Sequence, residues 1–254
     1  MIYITGDTHA DFKRFSTNNF PEQREMTKYD YVIICGDFGG IWDYEESKPE
    51  EKYWLDWMND KSFTTLFVDG NHENYDRLKQ FPIVSFHGGK AHKIRDSIYH
   101  LMRGYVFNLQ GKSFFSFGGA RSHDIQDGIL NMEDYDSPRG LIADYKYRTL
   151  KGEMLRINHV SWWEEEMPNR QEMDRGIRNL AKVDNKVDFV ISHSLPQTVC
   201  GALGYAVADD LTKYFDCLLE NGLVFKHWYS GHYHKEIDVF GKYHIRYHSI
   251  EMIV

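Results

Sequence analysis

Residues 31–40 read Tyr-Val-Ile-Ile-Cys-Gly-Asp-Phe-Gly-Gly. The apolar run Tyr31–Cys35 contains β-branched residues and is typical of a strand that is buried on both faces of a sheet. The run stops at Gly36-Asp37, so a carboxylate follows the carboxyl end of a core strand. Because ligands of open α/β sheets bind at this edge, we expect Asp37 to belong to a binding site.

The same arrangement recurs along the chain, where four further apolar strands run into residues of the types that bind metal ions. These motifs are Gly6-Asp7-Thr8-His9, Gly70-Asn71-His72-Glu73, Ser192-His193 and Gly231-His232-Tyr233-His234. Asp7 and His9 are two residues apart on an extended segment and can face the same way, and the same holds for His232 and His234. Asp37 is the carboxylate that all five strand ends can share.

Two carboxylates, four imidazoles and one amide make a set of seven potential metal ligands. They are Asp7, His9, Asp37, Asn71, His193, His232 and His234. Seven ligands are too many for one tetrahedral zinc site. They fit two ions about 3.5–4 Å apart if one carboxylate is shared. Mixed nitrogen and oxygen donors favour Mn, Fe, Zn or Ni over Ca or Mg, and the positive charge of two such ions suits a phosphate anion.

Length and composition limit the remaining possibilities. A chain of 254 residues can bury a sizeable core, and no linker divides it, so we expect a single domain over 1–254. The net charge of −8 argues against stable binding to duplex nucleic acid. Three scattered cysteines, no leader pattern at the first strand and no long apolar run predict a soluble, cytoplasmic protein. The oligomeric state stays open.

The secondary-structure pattern changes along the chain. Residues 1–80 alternate strand and helix, whereas 83–117 contain short strands that predict an antiparallel meander. Ser47–Glu50 and Ser161–Glu164 match the capping-box pattern and predict two helix starts. Residues 121–160 are the least regular part of the chain.

The five motifs, in this order, resemble the calcineurin-like metallophosphoesterase superfamily, and the resemblance covers about residues 5–235. It implies a four-layer α/β/β/α sandwich of two mixed sheets, with a dimetal site at the strand ends. Carried over to this sequence, it implies two ligand sets: Asp7, His9, Asp37 and His234 for one ion, and Asp37, Asn71, His193 and His232 for the other.

The resemblance also implies a reaction and a cofactor. Two divalent transition metal ions, with Mn favoured, would hold a bridging hydroxide that attacks phosphorus in line, and His72 would assist the leaving oxygen. The catalytic residues are then His72 and the bridging Asp37. The predicted function is hydrolysis of phosphate esters, with phosphodiester or nucleotide-type substrates slightly favoured.

Three alternatives stay open, of which the first is a Ser/Thr phosphoprotein phosphatase. Gly-Asn-His-Glu resembles those phosphatases, but Gly40 and Ile41 occupy the positions of their second Asp and their phosphate-binding Arg. The other two are a small-molecule phosphomonoesterase and a catalytically inactive scaffold. Retention of all seven ligands and His72 makes the scaffold the least favoured.

Two further blocks, Gly118–Asp124 and Ser161–Glu164, resemble a bacterial and phage branch of the superfamily. The two blocks lie closer together in that branch, so about 126–158 is predicted to be an insertion that can act as a lid. Arg121 and His123, in the first block, are the candidate substrate-binding residues. Trp162 and Trp163 are expected to anchor the far end of the insertion in the core.

Overall fold

The computed structural model describes residues 1–44, 46–205 and 208–254. In these residues the strands are β1 (Ile2–Thr5), β2 (Tyr31–Ile34), β3 (Thr64–Phe67), β4 (Ile83–Phe86), β5 (Gly89–Arg95), β6 (Ile98–Leu101), β7 (Tyr105–Leu109), β8 (Lys112–Phe117), β9 (Ile129–Leu130), β10 (Arg156–Ile157), β11 (Phe189–Ser192), β12 (His227–Ser230), β13 (Ile237–Val239), β14 (Tyr243–Ile245) and β15 (Glu251–Met252). The helices are α1 (Pro49–Asn59), α2 (Tyr75–Leu78), α3 (Pro138–Leu150), α4 (Arg170–Ala181), α5 (Gln197–Ala202) and α6 (Asp210–Glu220). None of the described helices is both long and apolar enough to cross a membrane.

Two large mixed sheets form the centre of the fold. The first has the strand order β15-β1-β2-β3-β6-β5-β4, and the second has the order β13-β14-β12-β11-β8-β7. Strands β1, β2, β3 and β6 are parallel neighbours in the first sheet, as are β8, β11, β12 and β14 in the second. The carboxyl ends of these parallel strands carry the loops of the predicted site.

Alternate residues of each strand face opposite sides of its sheet, which divides the core into layers. On β2, Ile33 packs between the two sheets with Phe114 and Ile191, whereas its neighbours Val32 and Ile34 pack on the outer face beneath α1. The outer face of the second sheet packs against α4 and α6 in the same way. The result is the predicted four-layer α/β/β/α sandwich, which is confirmed.

The predicted meander over 83–117 is wrong as a single unit. β4, β5 and β6 are antiparallel neighbours in the first sheet, whereas β7 and β8 form an antiparallel pair in the second. The chain therefore crosses from one sheet to the other between Leu101 and Tyr105. Apolar strand patterns alone do not distinguish a turn within one sheet from a step between two stacked sheets.

Both predicted capping boxes are also wrong, because each serine hydroxyl bonds to a different group. Ser47 Oγ donates to the Glu51 carboxylate, and Ser161 Oγ accepts the backbone N–H of Ile157 at 3.0 Å. Capping boxes form instead at the N-termini of α4 and α6. The side chain of Asn169 or Asp209 accepts the backbone N–H of the third helical residue, whose own side chain accepts the backbone N–H of Asn169 or Asp209.

The predicted insertion at 126–158 contains more regular structure than its sequence indicates. It holds β9, α3 and β10, and β9 and β10 pair as a small parallel sheet. Its buried apolar residues form a separate cluster: Leu130, Leu141, Leu155 and Ile157. Trp163, just beyond it, is buried in the core of the first sheet, as predicted for an anchor.

A buried charged network lies beneath the loop that follows β3. Arg103 donates to Asp69 Oδ2 from Nε at 2.7 Å, His100 Nε2 donates to Asp69 Oδ1 at 2.9 Å, and Tyr75 donates to the same carboxylate at 2.9 Å. Burial alone would raise the pKa of Asp69, but Arg103 and His100 outweigh it and hold the pKa well below its usual range. Because the pKa is lower in the folded chain, this stabilisation is present at neutral pH and is lost as the pH falls below the ordinary Asp range.

We predict that Asp69→Asn lowers the free energy of unfolding of the metal-free protein by about 3–5 kcal/mol, because it leaves Arg103 buried without its carboxylate. Urea denaturation measures this change. Asp56→Asn is the matched control, since the Asp56–Arg95 pair is on the surface and its loss should cost less than about 1 kcal/mol. Equal losses in the two variants would contradict the role assigned to the buried network.

Candidate metal centre

Two buried carboxylates lie at the centre of the site. Asp7 follows β1 and Asp37 follows β2, and their relative exposures are 0% and 1%. Among the described residues, their ion-pair partners within 4 Å are all histidines. Because buried carboxylates without Lys or Arg partners are unfavourable, this arrangement is typical of a site that binds cations.

His9 and His234 lie on one side of Asp7. His234 Nε2 is 3.1 Å and His9 Nε2 is 3.9 Å from Asp7 Oδ2, and the two Nε2 atoms are 3.2 Å apart. His9 Nε2 is also 3.7 Å from Asp37 Oδ2. Ligand-type atoms of Asp7, His9 and His234 all lie within 4.8 Å of one another, a spacing that can hold one ion.

His193 occupies the other side and is fully buried. Its Nδ1 donates to the Cys35 carbonyl at 2.7 Å, which leaves Nε2 as the atom that faces the site. Nε2 is 3.3 Å from Asp37 Oδ2 and 3.3 Å from Asn71 Oδ1. Ligand-type atoms of Asp7, Asp37 and His193 form a second group within 4.8 Å. The ring of His232 lies 5.0 Å from that of His193.

The carboxylates also hold the loops of the site together. Asp37 Oδ1 accepts the backbone N–H of His72 at 2.8 Å, and Asp7 Oδ1 accepts that of His232 at 2.9 Å. Glu73 Oε1 accepts the N–H of Phe38 at 2.7 Å and ties the loop after β2 to the loop after β3. Each bond joins the ends of two different strands, so the loops are positioned as one unit.

The backbone of the site is strained in several places. Positive φ angles occur at His9, Asp37, His232 and His234, with values between 44° and 67°. Non-glycine residues adopt this conformation at a cost, and it is frequent at functional sites. The approach of the loops is also close, since a Cβ at Gly231 would lie 1.9 Å from Asp7 Oδ1. The motif thus needs glycine at this position for space.

The electrostatics of the site are dominated by the attraction between His193 and the two buried carboxylates. Burial alone would lower the pKa of His193, but Asp37 and Asp7 raise it to about 10. Burial would raise the pKa of Asp37, but His193 holds it well below its usual range. Burial lowers the pKa of His232 to about 3, so this imidazole is neutral and keeps a free lone pair. The donor set of carboxylates, imidazoles and one amide fits divalent transition ions.

His72 lies at the edge of this group. Its ring centroid is 5.3 Å from that of His9 and 6.2 Å from that of Trp42. Burial is the largest influence on the pKa of His72 and lowers this pKa, whereas the charge of Asp37 raises it. Smaller influences come from Arg156, which lowers the pKa, and from Asp124, which raises it. Arg156 pairs with Asp124, so β10 of the predicted insertion carries a charge close to His72.

The two predicted substrate-binding residues lie on the loop after β8. The ring of His123 is exposed and its centroid is 6.4 Å from that of His232. Arg121 is exposed, and no contact with another described residue places its guanidinium at the site. The sequence analysis assigned no role at the site to Ser122, Arg156 or Glu166. Ser122 lies inside the block Gly118–Asp124 that resembles a known motif, whereas nothing in the sequence around Arg156 indicates a place at the site.

Residues 1–236 match the family model described as calcineurin-like phosphoesterase. The chain belongs to this family. Membership implies divalent metal ions, for which the aspartates and histidines at the sheet ends are the candidate ligands. The description of the family names phosphoester hydrolysis as the activity of its members.

Curated relatives of the chain include three lariat debranching enzymes. Identity is 24% over 262 residues for the Arabidopsis thaliana enzyme (92% of this chain, 54% of the relative), 27% over 186 residues for that of Schizosaccharomyces pombe (69% and 33%), and 25% over 147 residues for enzyme A of Xenopus laevis (53% and 26%). The matched part of each relative is therefore between about a quarter and a half of its length.

We predict that metal binding releases a proton near neutral pH. Without metal, His193 keeps its proton up to a pKa of about 10, whereas a metal ligand must be a neutral imidazole. The apparent affinity for Mn²⁺ should therefore rise with pH until His193 is deprotonated. Calorimetric titrations in two buffers with different heats of ionisation measure the released protons. Heats that do not depend on the buffer would contradict a charged His193 in the metal-free chain.

Proposed function

We propose that the protein is a dimetal-dependent phosphoesterase with some preference for phosphodiester or nucleotide-type substrates. The observation that carries this proposal is the convergence of ligand-type side chains from four loops on the buried pair Asp7 and Asp37, with Asn71 of a fifth loop 3.3 Å from His193. Such a set has no evident structural purpose, since buried carboxylates and strained loops both cost stability. Its complete state argues against an inactive scaffold.

For the two ions we propose the ligand sets that the family resemblance implies. One set is Asp7, His9, Asp37 and His234, and the other is Asp37, Asn71, His193 and His232. The Asp37 carboxylate lies between His9 and His193, which supports its bridging role. Mn is the favoured metal, with Fe, Zn and Ni as alternatives. When bound, such ions polarise the phosphoryl group and activate water.

His72 is the proposed general acid for the leaving oxygen. Its backbone N–H is fixed by Asp37, and its ring lies beside that of His9 at the rim of the site. Burial lowers the pKa of His72, which makes the protonated ring a stronger acid but leaves a smaller fraction of it protonated at neutral pH. Asp124, paired with Arg156, is close enough to raise the pKa of His72, and we propose it as the carboxylate that helps to keep a proton on this ring.

The packing around Gly40 and Ile41 argues against a phosphoprotein phosphatase. Ile41 is fully buried in the outer core of the first sheet. A Cβ at Gly40 would lie 2.4 Å from the ring of Phe38, so an aspartate does not fit there. The debranching enzymes among the relatives support a phosphodiester substrate. A small-molecule phosphomonoester remains the second choice.

The predicted insertion at 126–158 is the proposed specificity element. Arg156 reaches the neighbourhood of His72, and Arg121 and His123 belong to the loop that leads into the segment. Together they offer cations and rings to the part of a substrate away from the phosphorus. Free Cys35, Cys200 and Cys217 support a reducing compartment such as the cytoplasm.

A panel of phosphodiesters, nucleotides, phosphomonoesters and a phosphopeptide tests the proposed function directly. Metal-free protein, prepared with a chelator, should be inactive and should regain activity with Mn²⁺. The account predicts the highest kcat/KM on a diester. Preference for the phosphopeptide would favour the phosphatase alternative, and no hydrolysis by fully metal-loaded protein would favour the scaffold.

We predict that His72→Asn keeps its metal ions but lowers kcat by about 10²–10⁴, the usual contribution of general acid catalysis. The loss should be smaller for nitrophenyl esters, because nitrophenolate leaves without needing a proton. Rates for esters with good and poor leaving groups, together with metal analysis, measure both effects. Equal losses for both kinds of ester would show that His72 positions or binds phosphate instead.

We predict that replacing 126–158 with a short Gly-Ser linker leaves metal binding and nitrophenyl-ester hydrolysis intact but reduces discrimination among larger substrates. The cluster Leu130, Leu141, Leu155 and Ile157 lies wholly inside the removed segment, so the main cores keep their packing. Ratios of kcat/KM across the panel measure the effect. An unchanged profile in a folded, monodisperse variant would exclude this segment as the specificity element.

A further inference from the structure

Glu166 is a buried carboxylate that belongs to neither proposed ligand set. It ends the 3-10 helix Glu164–Glu166 and is 1% exposed. Its carboxylate binds one residue of the loop after β8 in two ways: Oε1 accepts the backbone N–H of Ser122 at 2.8 Å, and Oε2 accepts the Ser122 hydroxyl at 2.6 Å. Glu164, two residues earlier, is exposed.

The Ser122 hydroxyl connects Glu166 to Asn71, a proposed metal ligand. A hydroxyl has a single hydrogen, and the deprotonated carboxylate of Glu166 can only accept it. The oxygen of Ser122 is therefore left to accept the Asn71 side-chain N–H, with a distance of 3.3 Å between Asn71 Nδ2 and Ser122 Oγ. An amide whose nitrogen faces Ser122 has its oxygen on the opposite side, 3.3 Å from His193 Nε2.

The backbone on both sides of this chain of bonds is held firmly. Arg103 binds Asp69, which is two residues before Asn71. The same guanidinium donates to the backbone carbonyls of Glu165 at 2.8 Å and Glu166 at 3.2 Å. A Cβ at Gly119 would lie 2.5 Å from the Glu166 carbonyl oxygen, so the loop after β8 runs directly against this helix. Glu166, Ser122 and Asn71 thus have little freedom to exchange partners.

We propose that Glu166 is a positioning residue that acts through Ser122 to fix the amide orientation of Asn71, so that the amide oxygen, and not the nitrogen, faces the metal. This inference rests on the proposed function, because it concerns the ion for which Asn71 is a proposed ligand. An amide that presents its N–H₂ group to a cation repels it, so the direction of the bonds sets the affinity of that ion.

Glu166→Gln reverses the direction of the bonds without changing the size of the side chain. Its new amide nitrogen donates to Ser122 Oγ, which turns the hydroxyl hydrogen towards Asn71. Asn71 then offers its oxygen to Ser122 and its nitrogen to the metal. We expect the second Mn²⁺ to bind about 10–100-fold more weakly, the usual effect of removing a group that orients a ligand, with the first ion little changed.

The decisive variant is Glu166→Gln combined with Asn71→Asp. A carboxylate presents an oxygen both to Ser122 and to the metal, so this combination should recover the affinity for the second ion. Glu164→Gln is the matched control on the same helix and should bind both ions as the native chain does. Burial raises the pKa of Glu166 to about 7, so the Mn²⁺ titrations are made at mildly alkaline pH, where the native carboxylate is charged.

Calorimetry with Mn²⁺ and thermal unfolding of each metal-free variant are measured together. Weaker binding of the second ion in Glu166→Gln, restored by Asn71→Asp, supports the proposal. The proposal is overturned if Glu166→Gln binds the second ion with native affinity. It is also overturned if Asn71→Asp does not restore the lost affinity, even when thermal unfolding shows that Glu166→Gln is less stable. If the native chain binds no divalent ion, the proposed function fails as well; if the native chain binds two ions and Glu166→Gln binds them equally well, only this inference fails.

Discussion

The burial of Asp7 and Asp37 side by side, with histidines as their close partners, is the constraint on which the site depends. Two carboxylates away from water need positive charge nearby. In the metal-free chain a proton on His193 supplies part of it, which explains why its pKa is raised to about 10. A pair of divalent ions would supply it more completely, so metal binding and stability are expected to be linked.

The fold makes this costly arrangement possible by bringing rigid strand ends together. The carboxylates accept backbone N–H groups from the loops after β3 and β12, and Glu73 joins the loops after β2 and β3. Beneath them, Asp69 and Arg103 fix the base of the β3 loop to the loop after β6. Four ligand positions have left-handed backbone, a conformation that persists where the surrounding structure determines it.

The four layers were predicted through the resemblance to a known family, whereas the meeting of ligand-type residues at one edge follows from local patterns in the sequence. Apolar runs identify core strands, and the carboxyl ends of parallel strands meet at one edge.

The sequence did not predict the groups that hold the ligand-type residues in place. Ser122 is 51 residues from Asn71, and Glu166 is 44 residues from Ser122. Their contacts depend on how the two sheets stack, as does the step from β6 to β7 that divided the predicted meander. The acidic run at Glu164–Glu166 matches a favourable helix start, and only the packing shows that its last carboxylate faces inward.

The central claim is that Asp37 serves both metal ions. It is tested most directly by the metal content of Asp37→Asn after loading with Mn²⁺ and gel filtration, with the exposed Asp136→Asn as control. The account predicts about two ions per chain in the native protein and the control, as a bridging carboxylate requires, and loss of both in the variant. Retention of both ions by a folded Asp37→Asn protein would contradict it.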